Sequence, residues 1–576
     1  MDGDQYRRFI EEAFIRPMRS VLIVDDDYPT LEDMFSGKGK GDGKSWHNNP
    51  KAVKNVIDGF HNNQPPLIVD VHDGQNVDTT EEAAAVEHLH QCDLLVLDFE
   101  LNKKDEHEGT QAIGILRKIL GNEQFNLVIL HTRTELDIVF PKVLAGILRP
   151  APSFIEHEEA EWAEGKIFEQ DVEEPGYFAS AMETIGEEQY FYFRNKGCNW
   201  PPEEDDDAPD FSAFDVIAKK LGAQRNGQKS KLSRYLMSKL EERIFEGGDS
   251  PDFGRVEWSD KAPRWIRSDK GFIAFTKKNP DGRLLDALTD SLISWHPAPS
   301  RLFLAKLRAE LDRAGVAAEG KALGNNKVLA HWYKKLVEGS EVGRNTMVAS
   351  TVARHTDMLM EDILPEVRNF AERMVAAEVR DEGLDALCLK YFKVDLRVPA
   401  DKTAALNEHN AFVCSKPAEG HHLSTGHIFK LKDDYWVVLT PACDLEPEQD
   451  RIKIGDYQPF MAAKLAKTKG SGPPATINDG AAVVLKLEGA GPTGYTIAAQ
   501  GNSQPDWRTF YAAKKGSVEN GEFELFLMTI DAAIAFPIMR RVTVGLVGQL
   551  RYEYALSLMH RLGSSMTRVG LDFEKA

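Results

Sequence analysis

Val21-Leu22-Ile23-Val24 is an unbroken apolar run that stops at Asp25-Asp26-Asp27. Four apolar side chains without alternation read as a strand covered on both faces, as in a parallel sheet. Before it, residues 5–16 (QYRRFIEEAFIR) form an amphipathic pattern that Pro17 ends. After it, Pro29-Thr30-Leu31 begins a short helix, Gly37 to Pro50 is a Gly/Lys/Asn loop, and a helix is expected near 51–60. Leu67 to Val71 is a second strand, and Thr79-Thr80-Glu81-Glu82 opens a helix with capping hydroxyls and dipole-compensating acids. Leu94-Leu95-Val96-Leu97 is a third strand ending on Asp98, and residues 109–120 (GTQAIGILRKIL) a helix. Leu127-Val128-Ile129-Leu130 is a fourth strand ending at His131-Thr132, with a helix at 134–148. Alternating strands and helices predict a doubly wound parallel sheet.

The pattern breaks after Pro150. Residues 151–210 are rich in Glu and Asp, and the run 201–207 (PPEEDDD) reads as a linker. Residues 211–400 read as a mainly helical domain with one strand, Phe272-Ile273-Ala274-Phe275. From 401 to 576 the chain turns β-rich, with strands expected at 426–430, 434–440, 481–487 and 522–530. Arg541–Val547 is strand-like, and a last helix at about 549–562 closes what looks like a small barrel.

Open parallel sheets bind ligands at the carboxyl ends of their strands. Here those ends carry Asp25 and Asp26, then Asp98, then Thr132. Carboxylates crowded on neighbouring strand ends call for a cation, and a hard all-oxygen set suits Mg²⁺. One oxygen of Asp98 then remains to attack a phosphoryl group, with Thr132 to hold a transferred oxygen.

These same motifs, VLIVDDD (21–27), LLVLDFEL (94–101), the helix from Gly109 and LVILHT (127–132), resemble the receiver domain of bacterial response regulators. They look closest to a divergent response receiver subfamily. The resemblance covers about residues 18–150 and implies a flavodoxin-like fold with phosphotransfer from a histidine kinase. It makes Asp98 the phosphoacceptor and Thr132 the switch hydroxyl. It makes Asp25, Asp26 and Asp98 Mg²⁺ ligands, with the Glu100 backbone carbonyl as a further one.

The chain departs from that pattern twice. Asp25 and Asp98 are far apart in sequence, which places an insertion near 36–66. The family also carries a Lys after its fifth strand that bridges to the phosphoryl group. Ser153-Phe154-Ile155-Glu156 stands where that strand is expected, and it ends on an acid; Lys196 and Lys277 are remote substitutes.

Net charge is −21, from 70 Lys+Arg against 91 Asp+Glu, which argues against a whole-chain nucleic-acid footprint. Five scattered cysteines without CxxC spacing argue against a disulfide framework or structural zinc and fit a reducing cytoplasm. The charged N-terminus is not a signal peptide, and no run of about 18 apolar residues predicts a membrane span.

Several other features read more blandly than they first look. Gly37–Ser45 lacks the leading glycine of a phosphate-binding loop. His355 sits in a helical run without an ATP-binding lid nearby. Cys443 beside Asp444, with His427 upstream, is a candidate nucleophile against the ordinary reading of a small apolar side chain. Arg540, Arg541, Arg551, Arg561 and Arg568, with Tyr552 and Tyr554, are a candidate nucleic-acid face against a plain solvated surface.

The leading expectation is a two-component signalling protein phosphorylated on Asp98 by a histidine-kinase-like partner, with output through the helical and β domains. One alternative is a pseudo-receiver scaffold that assembles with an ATPase, in a setting such as bacterial phage defence. Another is an enzyme centred on Cys443. A homo-oligomer stays open.

Overall fold

The computed structural model describes residues 3–36, 50–74, 92–101, 109–122, 124–151, 155–200, 208–245, 252–278, 283–323, 325–378, 383–418, 420–446, 454–468, 482–497, 504–531 and 536–566. The expected helix start at 79–82, the glycine-rich run 37–45, the acidic run 201–207 and Arg568 lie outside them. The chain forms two compact units, residues 1–309 and 310–576.

The first unit is built on one sheet. Its strands are β1 (Ser20–Val24), β2 (Ile68–His72), β3 (Leu94–Leu97), β4 (Asn126–Thr132), β5 (Glu257–Ser259), β6 (Trp265–Arg267) and β7 (Gly271–Lys277). Their order is β2-β1-β3-β4-β7-β6-β5. The first five in that order are parallel, and β6 and β5 continue the sheet as an antiparallel edge. The parallel part has the flavodoxin-like order 2-1-3-4-5, with β7 as its fifth strand.

That fifth strand is the chief difference from the sequence expectation. It is the apolar run at 272–275, and not the segment at 153–156. Ser153 and Phe154 lie outside the described residues; Ile155 and Glu156 lead into a helix. Between β4 and β5 the chain inserts helices His157–Glu173, Tyr177–Glu183, Glu187–Lys196, Ser212–Lys220 and Asn226–Ile244 after the expected helix Leu136–Ile147. The acidic extension is therefore largely helical. Its apolar stripes are real core: Ala163, Ile167, Tyr190, Phe193, Leu236 and Leu240 share one buried cluster with Leu95, Leu97, Leu130 and Phe275 of the sheet.

The opposite face presents Val21, Ile23, Val96, Ile129 and Phe272, all buried. Helix Leu284–Trp295 packs on β7 and touches helix Pro50–His61 and the N-terminal helix Gly3–Ile10. Tyr6 donates to the Pro297 carbonyl at 3.0 Å. In β1, β3, β4 and β7, covered on both faces, the apolar runs are unbroken until the strand ends, whereas the edge strand β2 carries Asp70 in its middle and is largely exposed.

The second unit begins with helices Asn326–Glu338, Glu341–Ala377, Leu384–Phe392 and Pro399–Cys414. Asn325 and Ser340 cap the first two through their side-chain oxygens. The β region follows: β8 (Ser415–Lys416), β9 (His427–Leu431), β10 (Asp434–Val438), β11 (Gln458–Lys467), β12 (Ala482–Leu485), β13 (Thr493–Thr496), β14 (Trp507–Ala512), β15 (Glu522–Asp531) and β16 (Phe536–Leu550). The order β10-β9-β16-β15-β14-β11 closes on itself because β10 also pairs with β11, giving a six-stranded antiparallel barrel. Alternation sorts its side chains. Phe429, Trp436, Val438, Phe460, Phe510, Phe523 and Val544 fill the inside. Ile428, Val437, Leu439 and Leu465 point outward into a second core with Leu485, Tyr495 and helix Tyr552–Met566. The interior is solid aromatic packing, with the Phe429 and Phe510 rings 5.7 Å apart and edge-on. The terminal helix starts at Tyr552, three residues later than expected.

Among the described residues, no helix is long and apolar enough to cross a membrane.

Candidate metal and phosphoacceptor site

Val24, Leu97, Leu130 and Phe275 lie side by side across β1, β3, β4 and β7. The residues immediately beyond them therefore gather on one sheet edge. The Asp98 backbone N–H donates to the Val24 carbonyl at 2.9 Å, so Asp98 leaves the sheet beside Asp25. Asp25, Asp26 and Asp98 each offer a carboxylate oxygen, and these atoms lie within 4.8 Å of one another. Asp25 is 2% exposed and Asp98 5%, so two of the three charges are almost fully removed from water.

The fifth strand supplies the counter-charge. Lys278 follows β7, and its backbone N–H donates to the Thr132 carbonyl at 2.8 Å. Its Nζ donates to Asp25 Oδ2 at 2.7 Å and to Asp98 Oδ2 at 2.6 Å. Lys277, named from the sequence, pairs with Glu135 and is exposed on the outside of the strand. The residue that reaches the site is its neighbour. No sequence signal separates the two lysines; the contacts of their ammonium groups do.

The electrostatics show a site short of positive charge. Burial alone would push the Lys278 ammonium down, but Asp98 and Asp25 overcome it and hold its proton more tightly than usual. Burial pushes the Asp25 carboxyl up, Lys278 pulls it back and Asp98 pushes it up again, to about 7. One ammonium bridging two buried carboxylates is itself secure yet leaves Asp25 costly to ionise. All the cluster's donors are hard oxygens, so it fits a small divalent cation, which would relieve that cost.

The surroundings hold these groups in place. The Asp27 N–H donates to Asp25 Oδ1 at 3.0 Å and the Glu100 N–H to Asp98 Oδ1 at 3.3 Å. Thr132 is fully buried, and its Oγ1 accepts from the Thr134 N–H at 3.1 Å. Thr134 in turn donates to Glu100 Oε1 at 2.6 Å, tying the β4 end to the β3 end. Arg133 reaches Asp27 at 3.3 Å. Tyr28 sits under Lys278, and burial pushes its hydroxyl up to about 12.

Gly109 stands at the start of helix Thr110–Leu120. Its φ is +64°, and an added Cβ would meet the buried Phe99 ring at 2.0 Å. We expect Gly109→Ala to destabilise the first unit by more than about 1 kcal/mol, since both a strained φ and a clash are imposed. Chemical denaturation measures it.

His131 is buried beneath the site, and burial, then Lys278 and Arg133, draw its pKa down to about 3. Among the described residues, its Nε2 has no hydrogen-bond partner. The folded protein keeps this ring neutral while the unfolded chain protonates it near pH 6.5. That contribution is fully present above pH 6.5 and is lost as pH falls towards 3, at up to about 1.4 kcal/mol per pH unit. Melting curves of wild type and His131→Leu from pH 7 to 4 should therefore converge or cross as the pH drops.

The other candidates are not assembled into sites. Cys443 is exposed, and its only partner among the described residues is Asp444, 3.6 Å from the sulfur. His427 is fully buried and bonds to Ser424 at 3.2 Å. His355 is exposed on its long helix. Of the C-terminal arginines, Arg541 pairs with Glu524, and Arg551 bonds to the Phe412 carbonyl at 3.2 Å.

No curated protein and no solved structure matches the chain. A family model described as a response receiver domain matches residues 17–173. A response-receiver-like domain is thus identified at residues 17–173, and β7, from about a hundred residues further on, pairs with its strand β4 and brings Lys278 to Asp25 and Asp98.

Proposed function

We propose that the first unit is a working phosphoacceptor, charged on Asp98 by a separate histidine-kinase-like protein in a reducing cytoplasm. An Oδ of Asp98 attacks the phosphorus of a phosphorylated histidine. The O–P bond forms as the N–P bond breaks, and the departing imidazole takes up a proton. Mg²⁺, held by Asp25, Asp26, Asp98 and the Glu100 backbone carbonyl, would neutralise charge on the transferred oxygens. Lys278 moves its hydrogen bonds from the Asp98 carboxylate to the new phosphoryl group. The Thr132 hydroxyl donates to a phosphoryl oxygen, which disturbs the Thr132–Thr134–Glu100 chain and so carries the signal. The helical and β modules of the second unit act as output.

The observation that carries this reading is the Lys278 bridge to Asp25 and Asp98. A chain that kept only a receiver-shaped scaffold would have no need to bring a buried lysine to that point across a long helical insertion. Beryllofluoride, which mimics an aspartyl phosphate, provides the test. With Mg²⁺ it should raise the melting temperature of wild type and leave Asp98→Ala unchanged. An identical response of the two proteins would favour the scaffold reading, in which the unit serves only to assemble with a partner such as an ATPase.

A further inference from the structure

The phosphoacceptor occupies the carboxyl end of the sheet. The amino end carries a different chemistry. Phe125 stands immediately before β4 and Lys270 immediately before β7, and beside them runs the first turns of helix Pro299–Leu323. Together they enclose a cleft of about 330 Å³. At about 3.3 Å per residue, the seven residues of β4 put it roughly 20 Å from Asp98.

The cleft is divided in two. One side is apolar, made by Phe14 and by Leu304, which is 54% exposed. The other is cationic, made by Lys270, Arg301 and Arg308. The Arg301 guanidinium lies 4.3 Å from the centroid of the Phe125 ring, and that of Arg308 lies 5.8 Å from the same centroid.

Two guanidiniums on one ring repel each other, and burial adds to the cost. Burial, then Arg267 and Arg308, lowers the Arg301 pKa. Proteins ordinarily offset this with carboxylates. Among the described residues, neither Arg301 nor Arg308 has one as a hydrogen-bond partner. Asp269, the acid in the cleft, is already engaged: Oδ1 accepts from Arg267 at 3.2 Å and Oδ2 from the Arg255 N–H at 3.1 Å. Among the described residues, the hydrogen bond of Arg308 is a 3.5 Å contact to the Phe125 carbonyl. Asp269 acts on Arg301 through space, but less than burial and the neighbouring arginines do. In a chain of net charge −21, two arginines gathered on one ring are a local feature and not a drift of composition.

We infer that this cleft binds a nucleoside phosphate, with the phosphate between Lys270, Arg301 and Arg308 and the base against Leu304 and Phe14. The cations supply paired donors for phosphate oxygens. The apolar side, idle with a bare anion, covers a planar ring. The volume is at the small end of ligand sites, which suits a mononucleotide and not a folded partner.

The test is isothermal titration of the full-length protein with ADP, AMP and inorganic phosphate. At least one nucleotide should bind, and at least tenfold more tightly than inorganic phosphate. Arg308→Glu, at an exposed position, should weaken it at least tenfold, and Arg301→Gln likewise. Higher salt should weaken it, and Asp98→Ala should bind as wild type does. Failure of both nucleotides to bind at millimolar concentration would overturn the inference. So would undiminished binding in Arg308→Glu, or inorganic phosphate binding as tightly as ADP. None of these results bears on phosphorylation at Asp98.

Discussion

Lys278→Ala should destabilise the first unit by about 3–5 kcal/mol in metal-free buffer. The loss comes from what it leaves behind. Asp25 and Asp98 would face each other, 2% and 5% exposed, without the ammonium that bridges them. Removing one partner of a buried ion group costs far more than the group itself contributes, because the remaining charge keeps its desolvation penalty. Urea denaturation reads the loss directly. Mg²⁺ should then restore stability to the variant more than to wild type, since the ion no longer competes with the lysine for the same carboxylates. Lys277→Ala is the internal control. Its pair with Glu135 is exposed, and it should shift stability by less than about 1 kcal/mol. Equal effects of the two substitutions would mean that Lys278 is not seated between the carboxylates.

Asp98→Ala should have the opposite balance, with a large effect on activity and a small one on stability. On the proposed reading it removes the nucleophile. Asp25 is held by the Asp27 N–H and Lys278. Phosphoryl incorporation from a small phosphodonor should fall below detection. The fold should hold to within about 1 kcal/mol or gain, because one of two buried like charges is gone while Lys278 keeps Asp25 as a partner. Asp98→Asn should match it in activity and keep the Glu100 N–H bonded. Residual labelling at wild-type level would place the acceptor elsewhere.

β1, β3 and β4 and the polar groups after them were legible because each is a local pattern: an apolar run, then a polar residue at its end. Asp25, Asp26, Asp98 and Thr132 fall at the sheet edge the sequence implies. Lys278 was not legible, for two reasons. Connections in such folds are short, so strand five was sought next to the helix at 134–148. Five helices intervene instead, and only tertiary packing reveals that Ala163 and Leu240 share the sheet's core. The second reason is that two lysines stand side by side at the strand end, and only their contacts, Lys277 with Glu135 and Lys278 with Asp25 and Asp98, tell which one turns inward. In the barrel, β9, β10 and β15 were visible as β-branched and aromatic runs. β11 (QPFMAAKLAK) carries Ala and Lys, residues with little strand preference, and is a strand because β10, β13 and β14 pair with it. The cleft at the amino end left no motif, since its residues come from four separate segments.

The most direct measurement of the central claim is intact-protein and peptide mass analysis after incubation with Mg²⁺ and a small phosphodonor. A single base-labile phosphoryl group on the peptide containing Asp98, absent when Mg²⁺ is chelated, is the predicted result. Wild-type protein that takes up no phosphoryl group, or takes it up on a peptide without Asp98, would contradict it.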